Sequence, residues 1–309
     1  MALDPRDDQP RRILLAGASG MIGTPLVALL RERGHSVHTL VRRAPSDPTE
    51  HEWHPEVGEI RSGIVDHVDT VVNLSGASIG KIPWTKAHKD RILRSRISAT
   101  KTLVEAISRS ATPPSLLVQG SAVGFYGDRG EDTLTEQSER GEGFLADVVV
   151  AWEEEARPAV SAQTRVAFAR TGLVIGKGGA MAPLKLQTQL GLGGRIGSGL
   201  QWWPWISLRD EVRALAHVIQ HESDFMVFNL VGPEPARSRD ITLTLARALR
   251  RPHLIGLPEF AIDLALGEAG RELLLPSRRI VSNSLTITGF TWEDTTVSQA
   301  IEQTLQRRR

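Results

Sequence analysis

The chain has no cysteine, a single tyrosine, no long apolar run and no excess of either charge. Without cysteine there is no disulfide framework, no thiolate metal site and no cysteine nucleophile. The 37 Lys and Arg offset 36 Asp and Glu to a formal net charge of +1. No polyanion-binding surface is implied, and no nucleic-acid partner is expected. The terminal run Arg307-Arg308-Arg309 reads as a solvated tail. No stretch reaches the ~18 apolar residues of a membrane span, and Met1 to Arg12 is too polar for a signal peptide. The expectation is a soluble cytoplasmic protein with no membrane partner. Nor is a metal site expected. His51-Glu52-Trp53-His54 is flanked by Pro48 and Pro55, which disfavour a helix, and no further ligands complete a cluster. These histidines read as surface residues.

What is present is a chain of 309 residues, 40% hydrophobic, enough for one large domain or two fused ones. Short aliphatic runs alternate with amphipathic stretches, the pattern of a parallel sheet covered by helices. Strands are predicted at Ile13 to Ala16, His35 to Arg42, Thr70 to Leu74, Leu116 to Ser121, Arg165 to Ile175 and Val227 to Val231. Helices are predicted after Ile22, closed by Gly34, and at His88 to Arg109 and Phe144 to Ala156. Asp210 is expected to cap a helix running through His217. From Gly176 to Trp205 glycines crowd together, and the segment reads as an irregular or hairpin excursion. A break at Pro252, Gly256 and Pro258 precedes a last section with helical periodicity. The fold class is therefore α/β: a Rossmann-type doubly wound parallel sheet with a smaller, mainly helical C-terminal domain. Residues 11–252 form the first domain, with 177–205 directed to the substrate side, and 253–306 the second.

Gly17-Ala18-Ser19-Gly20-Met21-Ile22-Gly23 joins the first strand to the first helix. Such a loop must turn sharply, bring backbone N–H groups to a pyrophosphate and pack the helix closely on the strand, and each demand excludes a Cβ. The helix N-terminus adds unpaired donors and partial positive charge. Strand, loop, helix and second strand agree, which turns a weak glycine motif into a nucleotide-site prediction. The second strand ends in Val41-Arg42-Arg43, where an NAD-selective site places an acidic residue for the ribose hydroxyls. A guanidinium there pairs with a 2′-phosphate, so NADP is the expected cofactor. Two solvated arginines would fit the pattern as well. On the helix from His88, Arg96 falls inside the apolar stripe at about 100° per residue, whereas Arg91 and Arg94 fall outside it. A guanidinium on the inner face needs a buried carboxylate or a ligand anion, and the pattern fits either.

Three segments carry a family resemblance: the Gly17 to Gly23 loop, Asn73-Leu74-Ser75-Gly76, and Ser121-Ala122-Val123-Gly124-Phe125-Tyr126-Gly127. With Trp84, Ser95-Arg96-Ile97, Phe144-Leu145-Ala146, Trp152-Glu153, Arg170-Thr171-Gly172, Gly191 to Gly194, Gly197-Ser198-Gly199, Gln201, Trp205-Ile206 and Gly289-Phe290, the chain resembles the atypical extended short-chain dehydrogenases/reductases. Within them it is similar to the epimerase-like proteins that end in a domain of unknown function. The resemblance implies a Rossmann domain holding NADP, with Val41 and Arg42 near the 2′-phosphate; the residues expected to hold the cofactor then include Gly17, Ser19, Gly20, Met21, Ile22 and Gly23 of the loop and Arg43 after the second strand. It also implies Leu74, Ser75 and Gly76 along the cofactor, and Arg96 and Arg170 in contact with it. Ser207 departs from the His often found there.

The resemblance also exposes a loss. Ordinary members use a Tyr and a Lys four residues later as the proton-transfer pair. Here the residue four after Tyr126 is Gly130, and no lysine occurs between Lys101 and Lys177. The helix that should carry the pair offers Leu145, Val148, Val149 and Trp152, a core-facing stripe. The usual serine position aligns with Ala122, beside Ser121. Ser121 and Tyr126 are the remaining catalytic candidates, with Tyr126 as a structural tyrosine the competing reading. Asp147 and Glu153 are either near the pocket or solvated. Trp202, Trp203 and Trp205 are expected to wall a pocket beneath the excursion, core packing explaining at least one of them. Two functions stay open: an NADP(H)-dependent oxidoreductase or epimerase-like enzyme acting on a small polar, carbonyl- or sugar-like substrate, and a non-catalytic NADP(H)-binding sensor or scaffold. Oligomeric state is not legible.

Overall fold

A computed structural model describes residues 9–305; the Arg307-Arg308-Arg309 run lies outside them. The aliphatic run Ile13-Leu14-Leu15-Ala16 is fully buried, as a strand covered on both faces must be. It forms β1 (Arg12–Ala16), followed by α1 (Gly23–Glu32), β2 (Ser36–Val41), β3 (Glu50–His54), β4 (Glu59–Ile60) and β5 (Thr70–Asn73). Then come α2 (Lys86–Ser108), β6 (Leu116–Ala122), β7 (Thr133–Leu134), α3 (Phe144–Ala156), β8 (Arg165–Thr171) and β9 (Leu173–Ile175). The chain continues through α4 (Met181–Gln189), β10 (Trp202–Trp203), β11 (Trp205–Ser207), α5 (Leu208–Gln220), β12 (Val227–Leu230), β13 (Ala236–Arg237) and α6 (Ser238–Ala248). Its last part holds α7 (Glu259–Leu266), α8 (Glu268–Leu273), β14 (Arg279–Ile280), α9 (Asn283–Ile287) and α10 (Val297–Leu305).

Eight strands form the main sheet in the order β12-β8-β6-β5-β1-β2-β3-β4. All neighbours are parallel except β3 and β4. The order reverses between β1 and β5, whose connections leave to opposite sides. That is the switch point at which an open α/β sheet leaves a crevice beyond its strand ends. The loops after Ala16 and Asn73 both leave the sheet there.

Several expectations change in detail. The 177–205 segment contains α4, which the sequence conceals because only Met181 and Thr188 of it are buried; no apolar stripe marks it. Pro183 sits in its first turn, where a missing N–H costs nothing. The cap of α5 is Ser207, whose Oγ accepts from the Asp210 N–H at 3.0 Å. Asp210 lies one turn in and accepts from the Glu293 and Asp294 N–H groups, which fixes the end of the chain to α5. His51 and His54 lie on β3, with His51 stacked on His38 and Trp53 buried between. Trp203 and Trp205 belong to a core that also contains Ile241, Leu245, Ile262, Ala300 and Ile301. The last helices therefore share one core with the excursion, and these two indoles do not wall a cavity.

Candidate functional site

The glycine loop is shaped by close approach. Gly17 has φ +90°, and a Cβ on it would stand 2.7 Å from the Leu74 carbonyl. A Cβ on Gly23 would stand 2.2 Å from the Gly17 oxygen. The loop thus lies against both the end of β5 and the start of α1 with no room for side chains, the cradle that a pyrophosphate requires. Opposite it, Asn73 is buried and organises the second wall. Its Nδ2 donates to Thr100 and Gln119, and its Oδ1 accepts from the Ser75 N–H. Ser95 and Arg96 on α2 then hold the loop, Ser95 Oγ accepting from the Ala77 N–H and Arg96 donating to the Ala77 carbonyl.

A cavity of about 1320 Å³ opens between these walls. Gly17, Ser19, Gly20, Val41, Arg42, Arg43, Leu74, Ser75 and Gly76 all line it. Met21, Ile22 and Gly23 do not. Met21 packs its sulfur against Gly178 and Gly179, and Gly23 is buried under the loop. Arg91 and Arg94, assigned to the outer face of their helix, also line the cavity, because the outer face of α2 here overlooks the crevice.

The two arginines after β2 differ. Arg43 is gripped by Glu50, with Nη2 2.6 Å and Nη1 2.8 Å from its oxygens. Hydrogen bonds from Arg43 and Ser46 pull the Glu50 carboxyl down to about 2. Arg42 lines the cavity, is exposed, and has no hydrogen bond or ion pair among the described residues. The sequence pattern treats the pair alike; the carboxylate seven residues on from Arg43 separates them.

Arg96 is half-buried, and burial brings its guanidinium down to about 10. Its contacts are the Ala77 and Ile92 carbonyls and the Trp152 ring, with Cζ 4.9 Å from the ring centre. No carboxylate pairs with it among the described residues, which removes the structural ion pair from the two readings.

Arg170 is placed differently from its expected role. It is 3% exposed, and its Nε and Nη2 each stand 2.8 Å from the Glu153 oxygens. Phe125 covers its guanidinium face at 3.4 Å. Every edge of that guanidinium is engaged by protein, in a buried ion pair with Glu153 and a hydrogen bond to Tyr126. Glu153 in turn accepts from Ser121 Oγ at 2.6 Å, so it is neither solvated nor free. Asp147 is exposed and paired with Arg140.

Tyr126 closes the same network. Its hydroxyl accepts from Arg170 at 2.9 Å and donates to Asn229 at 2.7 Å. The side chain is fully buried, and burial pushes the phenol above its ordinary pKa. It lies outside the cavity lining, as does Ser121. Beyond it, Glu211 is fully buried, accepts from Thr171 at 2.7 Å and keeps Oε2 unpartnered. Burial raises its carboxyl to about 8. No helix among the described residues is long and apolar enough to cross a membrane.

Fold and site together define a doubly wound dinucleotide-fold protein with a formed glycine cradle at its switch point. The model of the NAD dependent epimerase/dehydratase family matches residues 13–232, and that of a domain of unknown function, DUF1731, matches 257–304. The chain belongs to the NAD dependent epimerase/dehydratase family. It is 38% identical over 296 residues to an epimerase family protein of Mycobacterium leprae, covering 96% of each chain. Among solved structures it is similar to human epimerase family protein SDR39U1 with NADPH: 32% identity, TM-score 0.87, 94% of this chain and 98% of that one. A nucleoside-diphosphate sugar epimerase from Corynebacterium glutamicum matches at 32% identity and TM-score 0.78, over 97% of this chain and 59% of that one.

Proposed function

We propose that the protein binds NADP(H) in preference to NAD(H) and acts as an oxidoreductase or epimerase-like enzyme on a small polar, carbonyl- or sugar-like substrate. The observation that carries the cofactor reading is Arg42, a guanidinium beside the glycine cradle with no protein partner among the described residues. A 2′-phosphate is the group it can pair with in a bidentate fashion. The NADPH of the human relative's structure supports the same choice. Gly17, Ser19 and Gly20 with the α1 N-terminus would hold the pyrophosphate, and Leu74, Ser75 and Gly76 the opposite side. When bound, the nicotinamide supplies or accepts a hydride.

Neither catalytic candidate lines the cavity: Tyr126 is enclosed between Arg170 and Asn229, and Ser121 is buried against Glu153. Ser121 donates to a buried, charge-paired Glu153, so its hydroxyl is held by an acceptor whose charge Arg170 already balances. That arrangement favours a second reading, a non-catalytic NADP(H)-binding sensor in which the network keeps the fold rigid. Calorimetric titration of NADP and NAD decides the cofactor claim, and equal or reversed affinities would refute it. NADPH oxidation across carbonyl and sugar-nucleotide panels separates the two functions. Turnover with any of them establishes the enzyme, and its absence throughout leaves the sensor.

A further inference from the structure

Exposed large apolar side chains are not spread evenly over this molecule. Leu186, Leu190, Leu192, Leu254, Phe260 and Leu264 lie on α4, on the glycine loop after it, on the loop before α7 and on α7 itself. The two loops are bonded to each other: the Leu254 and Ile255 N–H groups donate to the Gly193 carbonyl, and the Leu257 N–H to that of Arg195. Three of the tips stand almost wholly in water, Leu254 at 85%, Leu264 at 87% and Phe260 at 75%. Solvated leucines in one region mark a contact surface rather than ordinary surface composition.

The charge around them has one sign in the loops. Neither 177–205 nor 241–258 contains an Asp or Glu. The side chains of Lys185, Arg195, Arg250 and Arg251 have no hydrogen bond, ion pair or ring contact among the described residues. Arg195 runs beside Gly256, its Cγ 3.2 Å from where a Cβ would stand there. Two acids, Glu259 and Asp263, lie on α7, and Asp263 is taken by Arg271. Free cations beside protruding apolar tips on an otherwise neutral protein call for an anionic partner.

We propose that this face docks on an anionic lipid surface. A protein partner takes apolar side chains into a tightly packed interface core, whereas these tips project from four adjoining segments. A bilayer interface moulds itself around projecting tips, takes leucine and phenylalanine to shallow depth and attracts lysine and arginine to its headgroups. The attachment is peripheral and needs no spanning helix. It revises the expectation of no membrane partner, and it is independent of the cofactor reading.

The test is cosedimentation of the full chain with phosphatidylcholine vesicles, with and without phosphatidylglycerol. Binding is expected only with phosphatidylglycerol, and it should weaken as salt rises. Arg250→Gln and Arg251→Gln should each lower the partition coefficient about fivefold. Leu254→Asp with Leu264→Asp should abolish binding while thermal unfolding and NADP titration stay as in the parent chain. Lys101→Gln, on the exposed side of α2, should change nothing. Absence of lipid-dependent binding, or binding indifferent to the loop arginines and leucines, overturns the proposal. Capture of polyglutamate without any vesicle binding overturns it too, in favour of an acidic protein segment.

Discussion

The two sides of the switch point are built on opposite plans. On the β1–β2 side the polar groups are left unspent: a bare glycine cradle, an unpaired Arg42, and Arg91 and Arg94 lining a large cavity. On the β6–β8 side Ser121, Glu153, Arg170, Tyr126 and Asn229 are buried and joined in one chain of hydrogen bonds. A site preorganised for a ligand holds donors whose partner is the ligand, whereas a structural network satisfies itself. The same residue type serves both plans. Arg42 and Arg170 are equally cationic, and only the presence of a buried carboxylate decides which one waits.

Breaking the satisfied side should have the largest effect. Glu153→Gln leaves the Arg170 charge buried without its counter-charge, which costs about 3–5 kcal/mol. Urea unfolding of the variant should show the loss, and restoring apolar packing with Arg170→Met in the same chain should recover part of it. A Glu153→Gln chain as stable as the parent would mean that the pair is held by solvent or by ligand, and the contrast between the two sides would fail.

On the open side the expected change is in affinity, not stability. Arg42→Ala should weaken NADP binding by about 1.5–3 kcal/mol, the worth of a charge-assisted hydrogen-bonded contact, with NAD affinity unaltered. Arg43→Ala should change NADP affinity by less than about 1 kcal/mol, because this exposed guanidinium already belongs to Glu50. Equal effects of the two substitutions in calorimetry would show that Glu50 releases Arg43 on binding.

How much of this was legible depends on whether the controlling partner is near in sequence or only in space. The glycine cradle was readable, since the strand, loop and helix that need those glycines are contiguous between Arg12 and Arg43. The core stripe of α3 was readable by its helical period, and Leu145, Val148, Val149 and Trp152 are all buried. The Arg170 partner was not, because Glu153 lies on another element, on a helix whose other charged residues face water. Arg91 and Arg94 were placed outward correctly, yet periodicity cannot say that the outside of α2 borders a crevice. The length of α4 was hidden for a related reason: a helix with two buried residues carries almost no period.

The satisfied side has one exception, which gives a pH test. Glu211 has an unpartnered buried oxygen, and its carboxyl is raised to about 8 from an ordinary value near 4.5. The folded state therefore binds a proton that the unfolded chain gives up. Stability from this group is complete below pH ~4.5 and is lost as pH rises toward 8, by at most roughly 1.4 kcal/mol per unit. Glu211→Gln should flatten the stability profile across that window, measured by denaturant unfolding at several pH values. A profile as steep as that of the parent would assign the dependence to other groups.

The smallest change in stability is expected at Tyr126, where it discriminates most. Were this phenol a proton donor, Tyr126→Phe would lower kcat and leave stability nearly unchanged. The structure gives it two protein partners and no exposure, so the opposite split is expected. The substitution keeps the ring that packs against Phe125 but removes an acceptor from Arg170 and a donor from Asn229. Each neighbour retains other bonds, Arg170 to Glu153 and Asn229 Nδ2 to the Val281 carbonyl. The loss is then that of a single buried hydroxyl, about 1 kcal/mol or slightly more. Thermal unfolding reads this directly, and NADP titration should not register it. If the panel yields a substrate, an unchanged kcat in Tyr126→Phe leaves Ser121 as the one candidate of the pair still to be tested. A kcat lowered by the 10²–10⁴-fold typical of a lost general acid would instead mean that the Arg170–Tyr126–Asn229 chain opens in the working protein, and that its saturation belongs to the resting state alone.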